Sequence, residues 1–177
     1  MSVTSRPIRP GEIEGRDYHF ISEERFKERI DSGDFIEHAR VHGNYYGTSR
    51  TQVLELIARG YDVILDIDVQ GMLQLERTWP YDLVTVFILP PSFRELRHRL
   101  VSRGTDQEDD IRRRLQNAAG ELEYAGRYRY LLVNREIDEA VSGFRHVVAA
   151  ERSKANRNDR LLAQIVDDFH AVRQMRE

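Results

Sequence analysis

The chain has 177 residues, 40% of them hydrophobic, which is enough for one core with an added lobe and too little for two large domains. Its 27 Lys and Arg nearly balance 30 Asp and Glu, so the formal net charge of -3 excludes nucleic-acid or anionic-membrane binding through bulk charge and makes any anion site a local one. The absence of cysteine excludes a disulfide framework, a thiolate metal site and a Cys nucleophile.

In chain order, residues 1–11 hold no apolar signal region, and no run anywhere approaches the ~18 apolar residues that span a bilayer. A soluble cytoplasmic protein is expected. Residues 2–58 are mixed, with short segments such as "YHFI" and "FIEHARV" and a helix near 23–32, and are expected to form an inserted α+β lobe. "HGNYYGTSR", residues 42–50, lacks alternation and is flanked by glycines, which predicts an open turn carrying Tyr45 and Tyr46. "YDVILDIDV" at 61–69 and "VTVFILPP" at 84–91 are short β-branched runs, predicted as strands buried on both faces, with "YRYLLV" at 128–133 as a third. Ser92 and Glu95 form a capping box, and Phe93, Leu96 and Leu100 stripe a helix that Gly104 stops. Ile111, Leu115 and Leu122 stripe the next helix, and Ile137, Val141, Phe144 and Val148 a third. After a polar stretch at 153–160, Leu161, Ile165, Phe169 and Val172 stripe a last one. Alternating strands and helices over 59–152 predict a parallel α/β sheet.

Several residues could carry chemistry, and each has a bland alternative. Arg6 and Arg9 in "SRPIRPGE" lie on a proline-stiffened extended segment and could each fork onto a phosphate, or be two solvated surface charges. Tyr18, Tyr45 and Tyr46 could offer hydroxyls or be half-buried aromatics. Glu37 in "FIEHA" could read a ligand or lie on a solvated strand face. Asp66 and Asp68 share one side near the end of a buried run, where open α/β sheets hold ligands. Arg99, Arg103 and Arg114 flank "RGTDQED" and taken singly are helix-surface charges.

Taken together, "SRPIRPGE", "DYHF", "GDFIEHARVHGNYYGTS", "ILDIDVQG", "ILPPS", "RLVSRGTD" and "LLVN", in this order between Ser2 and about Arg152, resemble the guanylate kinase family. The resemblance implies phosphoryl transfer from ATP to GMP with Mg2+ between the nucleotides, and no nucleic-acid or membrane partner; a homo-oligomer is left open. It implies a P-loop kinase-like parallel sheet flanked by helices, a GMP-binding lobe at 2–58, the remaining core at 59–152 with a helical lid at about 96–127, and a polar linker and C-terminal helix at 153–177. It gives Arg6, Arg9, Tyr18 and Tyr46 to the GMP phosphate, Ser2, Glu37, Thr48 and Asp66 to the guanine, and Glu12 to the GMP site. Asp68 would lie near the phosphates and metal, Arg99, Arg103 and Arg114 would clamp the ATP phosphates, and Asn134 would lie near the adenine. Arg9, Asp68, Arg103 and Arg114 would be catalytic, and no protein side-chain metal site is implied.

The chemistry of the base suits this assignment. Guanine presents two adjacent donors, a ring N–H and an exocyclic amine, which a carboxylate such as Glu37 can accept. Adenine lacks that pair and would leave the carboxylate desolvated and unpaired, at about 1 to 3 kcal/mol.

One family element is missing from these residues. No G-x-x-x-x-G-K-[ST] phosphate loop occurs, and the only lysines are Lys27 and Lys154. The sequence begins about where the family's second segment does, so either a longer product or a variant without the donor loop is expected. In both cases the sheet of this chain would lack its first core strand and expose apolar strand edges.

Overall fold

A computed structural model describes residues 2–41, 43–79, 81–102 and 108–174. They fall into two compact units, 1–83 and 84–177. Among them no helix is long and apolar enough to cross a membrane.

The first unit is built on a four-stranded mixed sheet with the order β2-β1-β4-β3, formed by β1 (Ser2–Thr4), β2 (His19–Phe20), β3 (Phe35–Val41) and β4 (Asn44–Ser49). β1 runs parallel to β2 and antiparallel to β4, and β3 and β4 form a hairpin. The predicted open turn at 42–50 is therefore mostly strand. Its turn is confined to the hairpin tip, where Gly43 takes φ 88, a left-handed conformation that favours glycine. Gly47 has a different reason to be glycine. A Cβ there would lie 2.9 Å from the Phe35 ring and 3.0 Å from the Phe26 ring.

α1 (Glu23–Asp31), capped by the Ser22 side chain at the Arg25 N–H, lays Phe26 onto one face of the sheet. There Val3, Phe26 and Phe35 close a core that Ile21, Ile30 and Tyr45 complete. α2 (Arg50–Ala58) and α3 (Val69–Thr78) supply Val53 and Leu75 to a second core around Ile36, against which Val63, Leu65 and Ile67 pack.

The predicted strand at 61–69 is a correction. Residues 61–68 carry no strand ladder, and Val69 already begins α3. The run alternates as a strand would, with Val63, Leu65 and Ile67 packed inward and Ile64 69% exposed, but a strand needs a hydrogen-bonded neighbour, and none is found among the described residues.

In the second unit, β5 (Val86–Leu89) and β6 (Tyr130–Val133) pair in parallel from Val86↔Tyr130 to Leu89↔Val133. Around them are α4 (Phe93–Ser102), α5 (Glu108–Leu122), α6 (Ile137–Arg152) and α7 (Asp159–Gln174). Ser92 caps α4 as expected, its hydroxyl accepting from the Glu95 N–H at 3.1 Å, and the Glu95 carboxylate accepts from Arg99. α6 is tied to β6 through Glu151, which is buried and accepts from the Tyr130 hydroxyl and from Lys154, both at 2.6 Å. Burial works against its ionisation, but these bonds prevail and hold the carboxyl down at about 2. The expectation of strands buried on both faces fails here too, since Ile88 in β5 and Leu131 and Val133 in β6 are exposed. Gly104 lies outside the described residues.

Candidate functional site

The polar face of the first sheet is set by strand register. Ser2 lies opposite Thr48, and Thr48 opposite Glu37, so the three form one row across β1, β4 and β3. Thr4, Tyr46 and Ala39 form the parallel row two residues along, about 7 Å away. Tyr45 points the other way and stacks on Phe26, ring centroids 5.3 Å apart. Of the two adjacent tyrosines, alternation thus gives one to the core and the other to the site.

Glu37 reaches this row through a β-bulge. Phe35 pairs with Ser49 but Glu37 pairs with Thr48, so Ile36 is the extra residue. In a regular strand Phe35 and Glu37 would share a face. The bulge sends them to opposite faces, Phe35 into the core and Glu37 to the polar row.

Glu37 is 4% exposed, and the Thr48 hydroxyl donates to its Oε1 at 2.5 Å. Burial raises its pKa above the ordinary range, the charge of Asp68 adds to this, and the hydrogen bonds from Thr48 pull the other way. A buried carboxylate with one donor and spare acceptor capacity is a receptor for N–H groups.

At the other end of the face is an arginine–tyrosine cluster. Arg6, 7% exposed, stands over the rings of Tyr18 and Phe20 at 5.2 and 5.4 Å. Tyr18 and Tyr46 meet edge to face with ring centroids 6.1 Å apart. Burial raises the Tyr18 pKa, helped by Tyr46, while Arg6 lowers it.

The Arg6 fork is engaged within the chain. Its two terminal nitrogens donate to Glu12 at 2.7 and 2.5 Å, and one also donates to the Pro7 carbonyl at 2.9 Å. Glu12 also accepts the Arg9 backbone N–H at 2.8 Å. The Arg6 guanidinium, then the Arg9 N–H, hold the Glu12 carboxyl down at about 2. Glu12 therefore ties the Arg6 side chain to the Arg9 backbone, and the Arg9 side chain is exposed.

The charge of Asp68 adds to the rise of the Glu37 pKa, and that of Asp66 to the rise of the Tyr18 pKa. Asp68 also caps α3, its Oδ1 accepting from the Gly71 N–H at 3.0 Å and its Oδ2 from Gln70 at 2.8 Å. Among the described residues no group of three side chains could hold a metal ion. A Mg2+ that keeps its waters and rides on nucleotide phosphates needs no such cage.

The second unit holds the other predicted residues. Arg99 in α4 donates to Glu95 at 2.7 Å and to the Arg135 carbonyl at 3.0 Å, next to Asn134 at the carboxyl end of β6. Arg114 lies in α5, and Arg103 lies outside the described residues. Two residues escaped the sequence reading. Gly71 comes close against the Glu37 carboxylate, and Gln74 pairs with both backbone groups of His38, accepting at 3.1 Å and donating at 2.6 Å. A lone glycine in a helical pattern was a signal for the first. Nothing in the sequence marks the second.

A buried carboxylate in one row of a sheet face and an arginine–tyrosine cluster beside the next row set an acceptor and a cationic group on one side of an α/β protein. Comparison with known proteins names the family. The guanylate kinase family model matches residues 1–151. The guanylate kinase of Alkalilimnicola ehrlichii is 45% identical over 169 residues, covering 96% of this chain and 83% of that one. Those of Thermotoga maritima and Clostridium tetani are 44% and 41% identical, each over 89% of this chain and over 76% and 75% of their own lengths. The crystal structure of guanylate kinase from Anaplasma phagocytophilum superposes with a TM-score of 0.76 at 36% identity, over 88% of this chain and 76% of that one. The chain belongs to the guanylate kinase family, and by family it is an enzyme.

Proposed function

We propose that the first unit binds GMP and that the chain is of the ATP:GMP phosphotransferase type, moving the terminal phosphoryl group of ATP onto GMP to give GDP and ADP. The observation that carries this reading is the single sheet face bearing both the Ser2–Thr48–Glu37 row and the Arg6–Tyr18–Tyr46 cluster. Glu37, with Asp68 beside it, accepts the paired donors of guanine, and Thr48 and Ser2 line the same row. Arg9 and the tyrosine hydroxyls take the GMP phosphate, with Arg6 and Glu12 as their frame. Arg99, Arg103, Arg114 and Asn134 serve the donor nucleotide. Phosphoryl transfer asks of such groups alignment and charge stabilisation rather than covalent chemistry. Mg2+, carried by the nucleotide phosphates, supplies charge neutralisation there.

A second reading is a GMP-binding module without turnover, and it concerns a polypeptide of these 177 residues alone, which hold no G-x-x-x-x-G-K-[ST] cradle for the donor phosphates. One preorganised donor to a developing charge is worth about 3 kcal/mol, and the cradle supplies several. We therefore expect this chain to bind GMP and to fall far below the ~1 to 100 per second of typical kinases. Titration calorimetry with GMP, AMP and ATP, followed by a coupled ADP-release assay, is the test. Turnover in the normal range would sink the module reading, and absence of GMP binding by the folded chain would sink both.

A further inference from the structure

We propose that Gly71 and Gln74 of α3, which no base need touch, are the positioning residues that set base selectivity by fixing where the Glu37 carboxylate stands. The proposal rests on the reading of Glu37 as the base-reading group.

Gly71 is the first part of the device. It sits in the first turn of α3, and its φ is not in the left-handed region, so backbone conformation does not call for glycine. Helix propensity favours alanine there by about 1 kcal/mol. The neighbour is what forbids it. A Cβ on residue 71 would lie 2.5 Å from Glu37 Oε2, 3.2 Å from its Cδ and 3.3 Å from the Ile67 Cβ. The missing methyl thus lets the helix come up against the carboxylate more closely than any side chain would allow. It also places the charge at the helix N-terminus, where the aligned peptide dipoles favour an anion.

Gln74 is the second part. β3 is an edge strand of its sheet, with free backbone groups on its outer side. The Gln74 amide fills the role of a neighbouring strand, accepting the His38 N–H at 3.1 Å and donating to the His38 carbonyl at 2.6 Å. His38 follows Glu37 directly, and the Ile36 bulge that turns Glu37 precedes it. α3 and the base-reading segment of β3 are thereby pinned at two adjacent points, one by a hydrogen-bonded pair and one by van der Waals contact. Shifting either should move the carboxylate relative to Thr48 and to a base, and leave the arginine–tyrosine cluster two residues along the sheet in place.

That separation gives the test. Binding of GMP, AMP and ribose 5-phosphate to the full chain is measured by calorimetry, with circular dichroism to show folding. For Gly71→Ala we expect the GMP-to-AMP affinity ratio to fall about tenfold or more, the scale of a lost hydrogen bond to a charged group. Ribose 5-phosphate should bind as to the parent. Adding Glu37→Asp, which shortens the acid by one methylene and makes room for the new methyl, should recover part of the ratio, and a merely structural defect would not respond in this way. Gln74→Ala should lower the ratio in the same direction, and it carries the test alone if Gly71→Ala does not fold. An unchanged ratio in folded Gly71→Ala, or in Gln74→Ala where that variant stands alone, overturns the proposal. Glu37→Gln separates this failure from that of the underlying reading: a ratio lowered by Glu37→Gln but not by the α3 variants leaves the reading intact, while a ratio that ignores Glu37→Gln refutes reading and proposal together.

Discussion

The two units of the chain spend their apolar residues differently. The first closes two cores around a four-stranded sheet, with Phe26 and Leu75 wholly buried at their centres, and buries Arg6 and Glu37 beside them. In the second, Leu100 and Val147 are the buried hydrophobics among the described residues, while Ile88, Leu131, Val133, Ile137 and Phe169 are exposed. A two-stranded parallel pair is a marginal structure, because parallel strands normally have both faces covered. The lesson is that preorganisation follows burial. Glu37 and Arg6 are each held from several sides, whereas Arg99 is held by one half-buried i,i+4 partner and one carbonyl. Ligand selectivity should therefore be a property of the first unit alone.

The largest test of that contrast removes a core ring. Phe26 is fully buried, stacks on Phe35 at 4.5 Å and on Tyr45 at 5.3 Å, and presses against Gly47. Phe26→Ala should cost about 3 to 5 kcal/mol and take GMP binding with it, since β4 carries Tyr46 and Thr48. Leu100→Ala, in α4 of the second unit, should lower the melting temperature but leave GMP affinity within about twofold, as expected for independent sites. Loss of GMP binding in folded Leu100→Ala would break the comparison.

The next effect belongs to Glu37. Glu37→Gln should weaken GMP by about 1.5 to 3 kcal/mol, the range for a hydrogen bond to a charged group. The pH dependence sharpens it. The folded protein keeps the Glu37 proton to higher pH than the unfolded chain, whose value is the ordinary 4.5, so the folded state binds more protons between the two values. Stability contributed by Glu37 therefore falls as pH rises through that window, and Glu37→Gln should relieve the loss at neutral pH while it weakens ligand. Guanosine, which has no phosphate to titrate, should lose affinity for the parent on acidification already above pH 4.5 and show a flatter profile with the variant. A guanosine profile identical in the two proteins would remove Glu37 from the base.

Which features could be read from sequence follows the range of the forces behind them. A helix with a local cap, such as α4 behind Ser92, was legible because cap and helix lie within four residues. The family motifs marked Arg6, Glu12, Tyr18, Glu37, Tyr46 and Thr48, which the structure brings onto one face. What failed depended on partners distant in sequence. The run at 61–68 has strand composition, but pairing decides a strand. Gly47 looked like a turn residue because the two rings that need its missing Cβ lie 12 and 21 residues upstream. The bulge at Ile36 is invisible without the register of β4, and with it goes the reason Glu37 lies on the polar row rather than in the core.

The smallest expected effect separates the two arginines. Arg6 holds Glu12 by two parallel bonds and lies against two aromatic rings, a geometry an ammonium cannot copy, whereas Arg9 contributes its backbone N–H to Glu12. Arg6→Lys should thus disturb the frame, and Arg9→Lys should only trade one phosphate contact for a weaker one. Both should reduce GMP affinity and leave guanosine nearly unchanged, since neither residue is in the base-reading row. Acid titration tells them apart. Glu12, held down at about 2, contributes stability that is present above its ordinary value of 4.5 and lost as pH falls through about 2. Arg6→Lys removes the largest cause of that depression, so the acid loss should begin closer to pH 4.5, while Arg9→Lys keeps the backbone bond and should leave the acid limb where it is. An acid limb displaced by Arg9→Lys and not by Arg6→Lys would exchange their roles and make Arg9 the frame.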